Sequence, residues 1–142
     1  MATRGRGART GAHPVGVPAP LIGLSTSSVY PEGCAAAFEL AARLGYDGVE
    51  IMVWTDPLTR EAGALRALAE LHGIRILSIH APTLLVTQRV WGNDPWVKID
   101  RSIDLAVEVG ADTVVLHPPF RWQREYAAGF IDGVALREHD TG

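Results

Sequence analysis

Cysteine is nearly absent from this 142-residue chain: Cys34 is the only one. An internal disulfide is therefore excluded, and a thiolate-bound metal cluster has a single cysteine to draw on, which argues against one. That usage fits a reducing, cytoplasmic setting. No apolar run approaches the ~18 residues that a membrane-spanning helix needs. Acidic residues are missing from residues 1–20, which hold Arg4, Arg6 and Arg9 with four glycines and three prolines. This segment also lacks the apolar stretch of a secretory signal, and its composition predicts a disordered leader. Gly5-Arg6-Gly7 begins like a dinucleotide fingerprint, but no strand precedes it and Thr10 stands where the last glycine belongs. Basic charge is scarce in the remainder. The chain carries 13 basic and 16 acidic residues; three basic and no acidic ones lie in the leader, so residues 21–142 carry −6. Such a body attracts nucleic acid poorly.

What is present is a repeat. Residues 21–142, taken as one domain, divide into four segments, each a short apolar run, a loop, a helical stretch and a glycine. The runs are residues 21–25, 48–53, 74–79 and 113–117, each four to six residues long and rich in Val, Ile or Leu, as buried parallel strands are. A first helix is expected to open at Pro31-Glu32 and run to Leu44, and a second to be capped by Thr59. A third starts at Asn93 or Asp94 before Pro95, with a stripe of Trp96, Ile99, Ile103, Ala106 and Val107. A fourth runs from about Trp122 to Glu138 with Ala127, Phe130, Ile131 and Val134 on one face, weakened by Gly129 and Gly133. Gly45, Gly73, Gly110 and Gly142 each follow a helix, at the left-handed position that ends one. After Gly142 no fifth strand follows, and the end reads as a helix exit whose next strand has been removed. Alternating strands and helices imply an α/β fold with a parallel sheet.

Period two assigns the strand faces. Val49, Ile51 and Val53 share one face of the second strand, with Gly48, Glu50 and Met52 on the other. In the third, Leu77 and Ile79 oppose Ser78 and His80. In the fourth, Val114 and Leu116 oppose Thr113, Val115 and His117. In the first, Leu24 opposes Gly23, Ser25 and Ser27. One face is aliphatic, and the other brings Ser25, Glu50, His80 and His117 toward the C-terminal ends of the strands, where parallel barrels keep their active sites. A lone histidine or glutamate there is ordinarily structural; three ionisable groups in phase on successive strands point to a functional cluster. His13, His72 and His139 read as structural or incidental. Trp54, Trp91, Trp96 and Trp122 fall in or near the loops after strands and either anchor helices or stack on a sugar ring. Trp54, Trp122, Ser25 and Gln88 are the candidate substrate contacts, with Arg89 a weaker one.

Three motifs carry a resemblance: Leu44-Gly45-Tyr46-Asp47-Gly48-Val49-Glu50, Ser78-Ile79-His80-Ala81-Pro82, and the run from Gly110 through Leu116-His117-Pro118-Pro119. In order and on consecutive strands, they resemble the xylose-isomerase-like barrels, the sugar phosphate isomerase/epimerase group. The resemblance implies the first four units, (βα)4, of a (βα)8 TIM barrel acting on small sugars, sugar phosphates or polyol-derived ketones. It implies a divalent ion (zinc, manganese, magnesium or cobalt), with His80 and His117 lining the metal and substrate pocket. Glu50 would hydrogen-bond substrate or orient a histidine. Most of that family's metal ligands come from strands five to eight, so the resemblance also implies little or no activity for this chain alone. The same superfamily includes endonuclease-IV-like apurinic-site nucleases, whose zinc-binding histidines His80 and His117 fit equally; the acidic body argues against that reading. A third, non-catalytic reading is a half barrel with open strand edges and one uncovered apolar face, which could self-associate as a homodimer.

Overall fold

The computed structural model describes residues 19–141 apart from residues 85, 86 and 88, with backbone only at 139–141. Most of the expected leader, Gln88, His13 and the Gly142 cap lie outside the described residues, as does the His139 side chain. Four strands, β1 (Gly23–Ser25), β2 (Gly48–Met52), β3 (Arg75–His80) and β4 (Thr113–Val115), form one parallel sheet in the order β1-β2-β3-β4. Helices α1 (Cys34–Leu44), α2 (Ala62–His72), α3 (Pro95–Val109) and α4 (Arg124–Thr141) alternate with them. This is the expected half of a (βα)8 barrel. Among the described residues β1 and β4 are its edges, and no described helix is long and apolar enough to cross a membrane.

The core lies between the sheet and α1–α3. Val49, Ile51 and Val53 point into it with Ile76 and Ile79, meeting Phe38 and Ala41 of α1, Leu65 of α2, and Leu105 and Ala106 of α3. Burying a side chain such as Phe38 or Ile51 completely contributes roughly 1.5–3 kcal/mol each. The helices stop as the glycines require: Gly45, Gly73 and Gly110 have φ of 76°, 62° and 71°, and each donates its N–H back to the last turn.

Several local expectations are corrected. Helix α1 starts at Cys34, after Gly33, rather than at Pro31. Thr59 does not cap α2; it sits buried in a 3-10 turn, Pro57–Arg60, donating its hydroxyl to the carbonyl of Asp56, and Glu61 precedes the helix instead. Asp94 does cap α3, accepting the N–H of Trp96 at 2.8 Å. The buried residues of α3 are Lys98, Ile99, Ser102, Leu105 and Ala106, a stripe rotated from the expected one, with Val107 in solvent. Lys98, the chain's only lysine, can enter because its ammonium donates to the carbonyls of Pro82 (2.9 Å) and Thr87 (3.1 Å). Ser102 returns its hydroxyl to the carbonyl of Lys98. On α4, Ile131 is 80% exposed, and the helix packs on α3 through Tyr126, Phe130, Gly133 and Arg137. Gly133 leaves the room that the Trp96 ring fills, and Arg137 pairs with Asp100.

The register holds the most consequential correction. Val49 pairs with Ile76 but Glu50 pairs with Ser78, so Leu77 is an extra residue, a β-bulge. Ile76, not Leu77, joins Ile79 on the helix face. Leu77 turns to the other face, where it lies against Gly48 and Gly23. The face not covered by helices is thus mixed rather than apolar: Leu77 and Val115 share it with Ser25, Glu50, Ser78, Thr113 and His80.

Candidate active site

Glu50 is the centre of a hydrogen-bonded cluster drawn from three strands. The register aligns Ser25 of β1 with Glu50 of β2 and Glu50 with Ser78 of β3, so the side chains meet on one face. Ser25 donates its hydroxyl to Oε1 of Glu50 at 3.0 Å and Ser78 donates to Oε2 at 3.3 Å. His80 Nδ1 lies 3.2 Å from Oε1. Ser27 extends the chain, its Oγ 3.1 Å from that of Ser25. The His117 ring, beyond the end of β4, sits with its centroid 4.9 Å from that of His80 at a tilt of 32°. Proline follows each histidine closely (Pro82 after Ala81, and Pro118) and cannot donate to a continuing ladder, so both rings fall at the strand ends.

The electrostatics follow from these contacts. The Glu50 carboxyl is held below its ordinary value, first by the hydrogen bond from His80, then by those from Ser25 and Ser78 and the charge of His80, against the opposing effect of burial. A carboxylate can only accept, so His80 Nδ1 is the donor in this pair. Its Nε2 is buried, in a side chain only 12% exposed, and has no hydrogen-bond partner among the described residues. An unpaired buried polar atom is costly unless something occupies it.

Of the residues expected in the site, Ser25, Glu50, His80 and His117 are brought together. Trp54 lies beside them on the loop after β2, half-buried, in the wall of a neighbouring cavity. Trp122 is 62% exposed after β4, stacked on Phe120 at 4.6 Å with rings 4° apart. Trp96 is a helix anchor between α3 and α4, and Trp91 packs on the core with Arg101 over its ring. Ser78 belongs to the cluster although it was not singled out as a site residue; its phase with Glu50 was the available signal. Cys34 is buried, and burial together with the Asp56 charge pushes its thiol up to about 12, so it offers no nucleophile at neutral pH.

As donors for a divalent ion, His80 Nε2 and the adjacent His117 ring are the right chemistry, and Glu50 behind His80 supplies the orienting carboxylate. The fit is partial: among the described residues no three His, Cys, Asp or Glu side chains are close enough to share an ion.

The family described as the xylose isomerase-like TIM barrel matches residues 38–137, more than half of the chain. The chain belongs to that family. An uncharacterized protein of Mycobacterium tuberculosis is 56% identical over 121 residues, which is 85% of this chain and 43% of that protein. One of Mycobacterium leprae is 55% identical over 117 residues, 82% of this chain and 42% of that protein. The chain thus spans less than half the length of these curated relatives. A solved structure, Escherichia coli 3-keto-D-glucoside 4-epimerase in its apo form, aligns with 67% of this chain and 36% of its own, at 19% identity and a TM-score of 0.48. For a member of this barrel family, the Glu50 cluster lies where function is concentrated, at the C-terminal ends of the strands.

Proposed function

We propose that this chain carries one half of a sugar isomerase/epimerase site, in which Glu50, His80 and His117 form the cation-holding part of a site for proton transfer next to the carbonyl of a small sugar, sugar phosphate or polyol-derived ketone. The observation that carries the reading is the Glu50–His80 pair: their contact is 3.2 Å, Nε2 of that histidine is buried and without a hydrogen-bond partner among the described residues, and its ring centroid lies 4.9 Å from that of His117. His80 and His117 would hold a divalent cation. When bound, that cation supplies Lewis-acid polarisation of the substrate carbonyl. Glu50 fixes the His80 tautomer and ring orientation and raises its basicity as a ligand. Ser25 and Ser78 keep the carboxylate ionised and immobile, so that it does not swing into the mouth. With two histidine donors and no third among the described residues, the 142-residue chain by itself is expected to bind metal weakly and to turn over little or no substrate.

Zinc titration of the chain, followed by the ring nitrogen signals of its histidines, tests the reading. Saturable shifts at His80 Nε2 and His117, lost in both His80→Ala and His117→Ala, are expected. Zinc that binds both variants as it binds the parent, or that leaves these rings untouched, contradicts the reading. Cleavage of abasic DNA by the zinc-loaded chain would replace it with the nuclease alternative.

A further inference from the structure

Next to the Glu50 cluster, on the same rim, a cavity of about 700 Å³ opens between the loops that follow β1 and β2. Its volume is that of a small-molecule site. It begins two hydrogen bonds from Glu50: Ser27 lines it and contacts Ser25, which donates to the Glu50 carboxylate. Met52, the register partner of His80, lies in its wall. No residue of the Glu50–His80–His117 set lines it, so it is a separate compartment.

Its walls have a definite chemistry. Trp54 supplies an aromatic surface whose backbone is held by Thr59, the Trp54 N–H donating to Thr59 Oγ1 at 3.0 Å. Tyr30, exposed, also lines it. Hydroxyls come from Ser27 and Thr55, and the charged side chains are Glu32 and Asp56; among the described residues no Arg, Lys or His lines the cavity. The feature that would attract an anion there, the N-terminus of α1, is already occupied. Asp56 Oδ2 accepts the N–H of Cys34 at 3.0 Å, and Oδ1 accepts that of Leu58 at 3.0 Å. A helix start capped by a carboxylate has its positive end neutralised and its free donor taken.

We propose that this cavity is a subsite for an uncharged polyhydroxylated ring, stacked on Trp54 and hydrogen-bonded to hydroxyl and carboxylate oxygens, and that it rejects a phosphate ester. The inference rests on the sugar isomerase/epimerase reading for what occupies the adjoining Glu50 mouth, and it narrows that reading: the part of the substrate reaching past Ser27 is a neutral sugar or glycoside unit. Sugar hydroxyls donate well to Glu32, whereas a phosphate would face two carboxylates with no counter-charge.

The test is a pair of titrations of the 142-residue chain, with methyl β-D-glucopyranoside and with D-glucose 6-phosphate, read at the tryptophan indole N–H signals and the histidine ring signals. Trp54→Phe identifies the Trp54 signal. The glucoside is expected to shift it saturably, with the phosphate at least about tenfold weaker. Glu32→Arg, at an exposed position, should narrow that gap at least fivefold without disturbing the fold. Equal or tighter binding of the phosphate by the parent chain overturns the proposal. So does a glucoside response at His80 and His117 with Trp54 silent, which leaves the sugar reading standing. Silence of Trp54 and of both histidines toward both probes removes the subsite and the sugar reading together.

Discussion

Replacing Gly48 by alanine tests where the β-bulge puts Leu77. A Cβ at Gly48 would come 2.5 Å from Leu77 Cγ, 3.0 Å from its Cδ1 and 2.6 Å from the backbone oxygen of Arg75. Overpacking of this kind costs roughly 1–3 kcal/mol, and with a backbone atom among the obstacles the upper end applies. Alanine recovers about 0.5–1 kcal/mol by restricting the unfolded chain. The net expected loss is about 2 kcal/mol, or roughly 6–10 °C in Tm for a domain of this size. Thermal unfolding by circular dichroism measures it directly. A second variant isolates the cause. In a Leu77→Ala background the side-chain clash is gone but the Arg75 oxygen remains, so Gly48→Ala should cost about 1 kcal/mol less there, a coupling read from the double-mutant cycle. Had Leu77 faced the helices with Ile79, as simple alternation requires, Gly48→Ala would be tolerated and the cycle would close at zero. Either of those results refutes the bulged register.

Lys98→Met should cost about 2–4 kcal/mol, because two buried carbonyls lose a charged donor; urea unfolding measures the loss. Amide exchange at Thr87 and Val90, in the loop that Lys98 ties down, should accelerate before exchange in the sheet does, and unchanged protection there would contradict the tie. Glu50 gives a pH signature. Its folded pKa lies below the ordinary 4.5, so its contribution to stability is present above that value and is lost as pH falls through the depressed folded pKa. Glu50→Gln should therefore be less stable than the parent at pH 6, with the difference closing in acid. A difference that is constant with pH, or that grows toward acid, would contradict the assignment.

Much of the architecture was legible because it depends on local signals. The glycines after α1, α2 and α3 mark left-handed stops that few other residues adopt. Asp94-Pro95 is a helix start in which both residues favour the same geometry. Glu50 and His80 were readable as neighbours because strand periodicity near the ends of β2 and β3 survives the bulge. What failed was whatever depends on partners distant in sequence. A bulge at Leu77 is decided by the glycines of β1 and β2 that make room for it. Lys98 and Ser102 lie off the apolar stripe expected of the third helix, and become core because loop and helix carbonyls accept from them. Thr59 looks like a cap by residue type, but Asp56 in the same loop takes the capping position for its own turn and for the start of α1 as well. Ser78 was visible in phase, yet nothing in the sequence said that Glu50 would be held from both sides.

Glu50 is central to the proposed site because its contact with Nδ1 fixes the His80 tautomer and leaves Nε2 for a ligand. Nitrogen-15 NMR of the histidine rings at neutral pH measures this most directly. His80 should show a protonated Nδ1 coupled to the Glu50 carboxylate and an unprotonated Nε2, and Glu50→Ala should release it into the mixed tautomers of a free imidazole. A His80 protonated on Nε2, or one whose tautomer ignores the loss of Glu50, would contradict it.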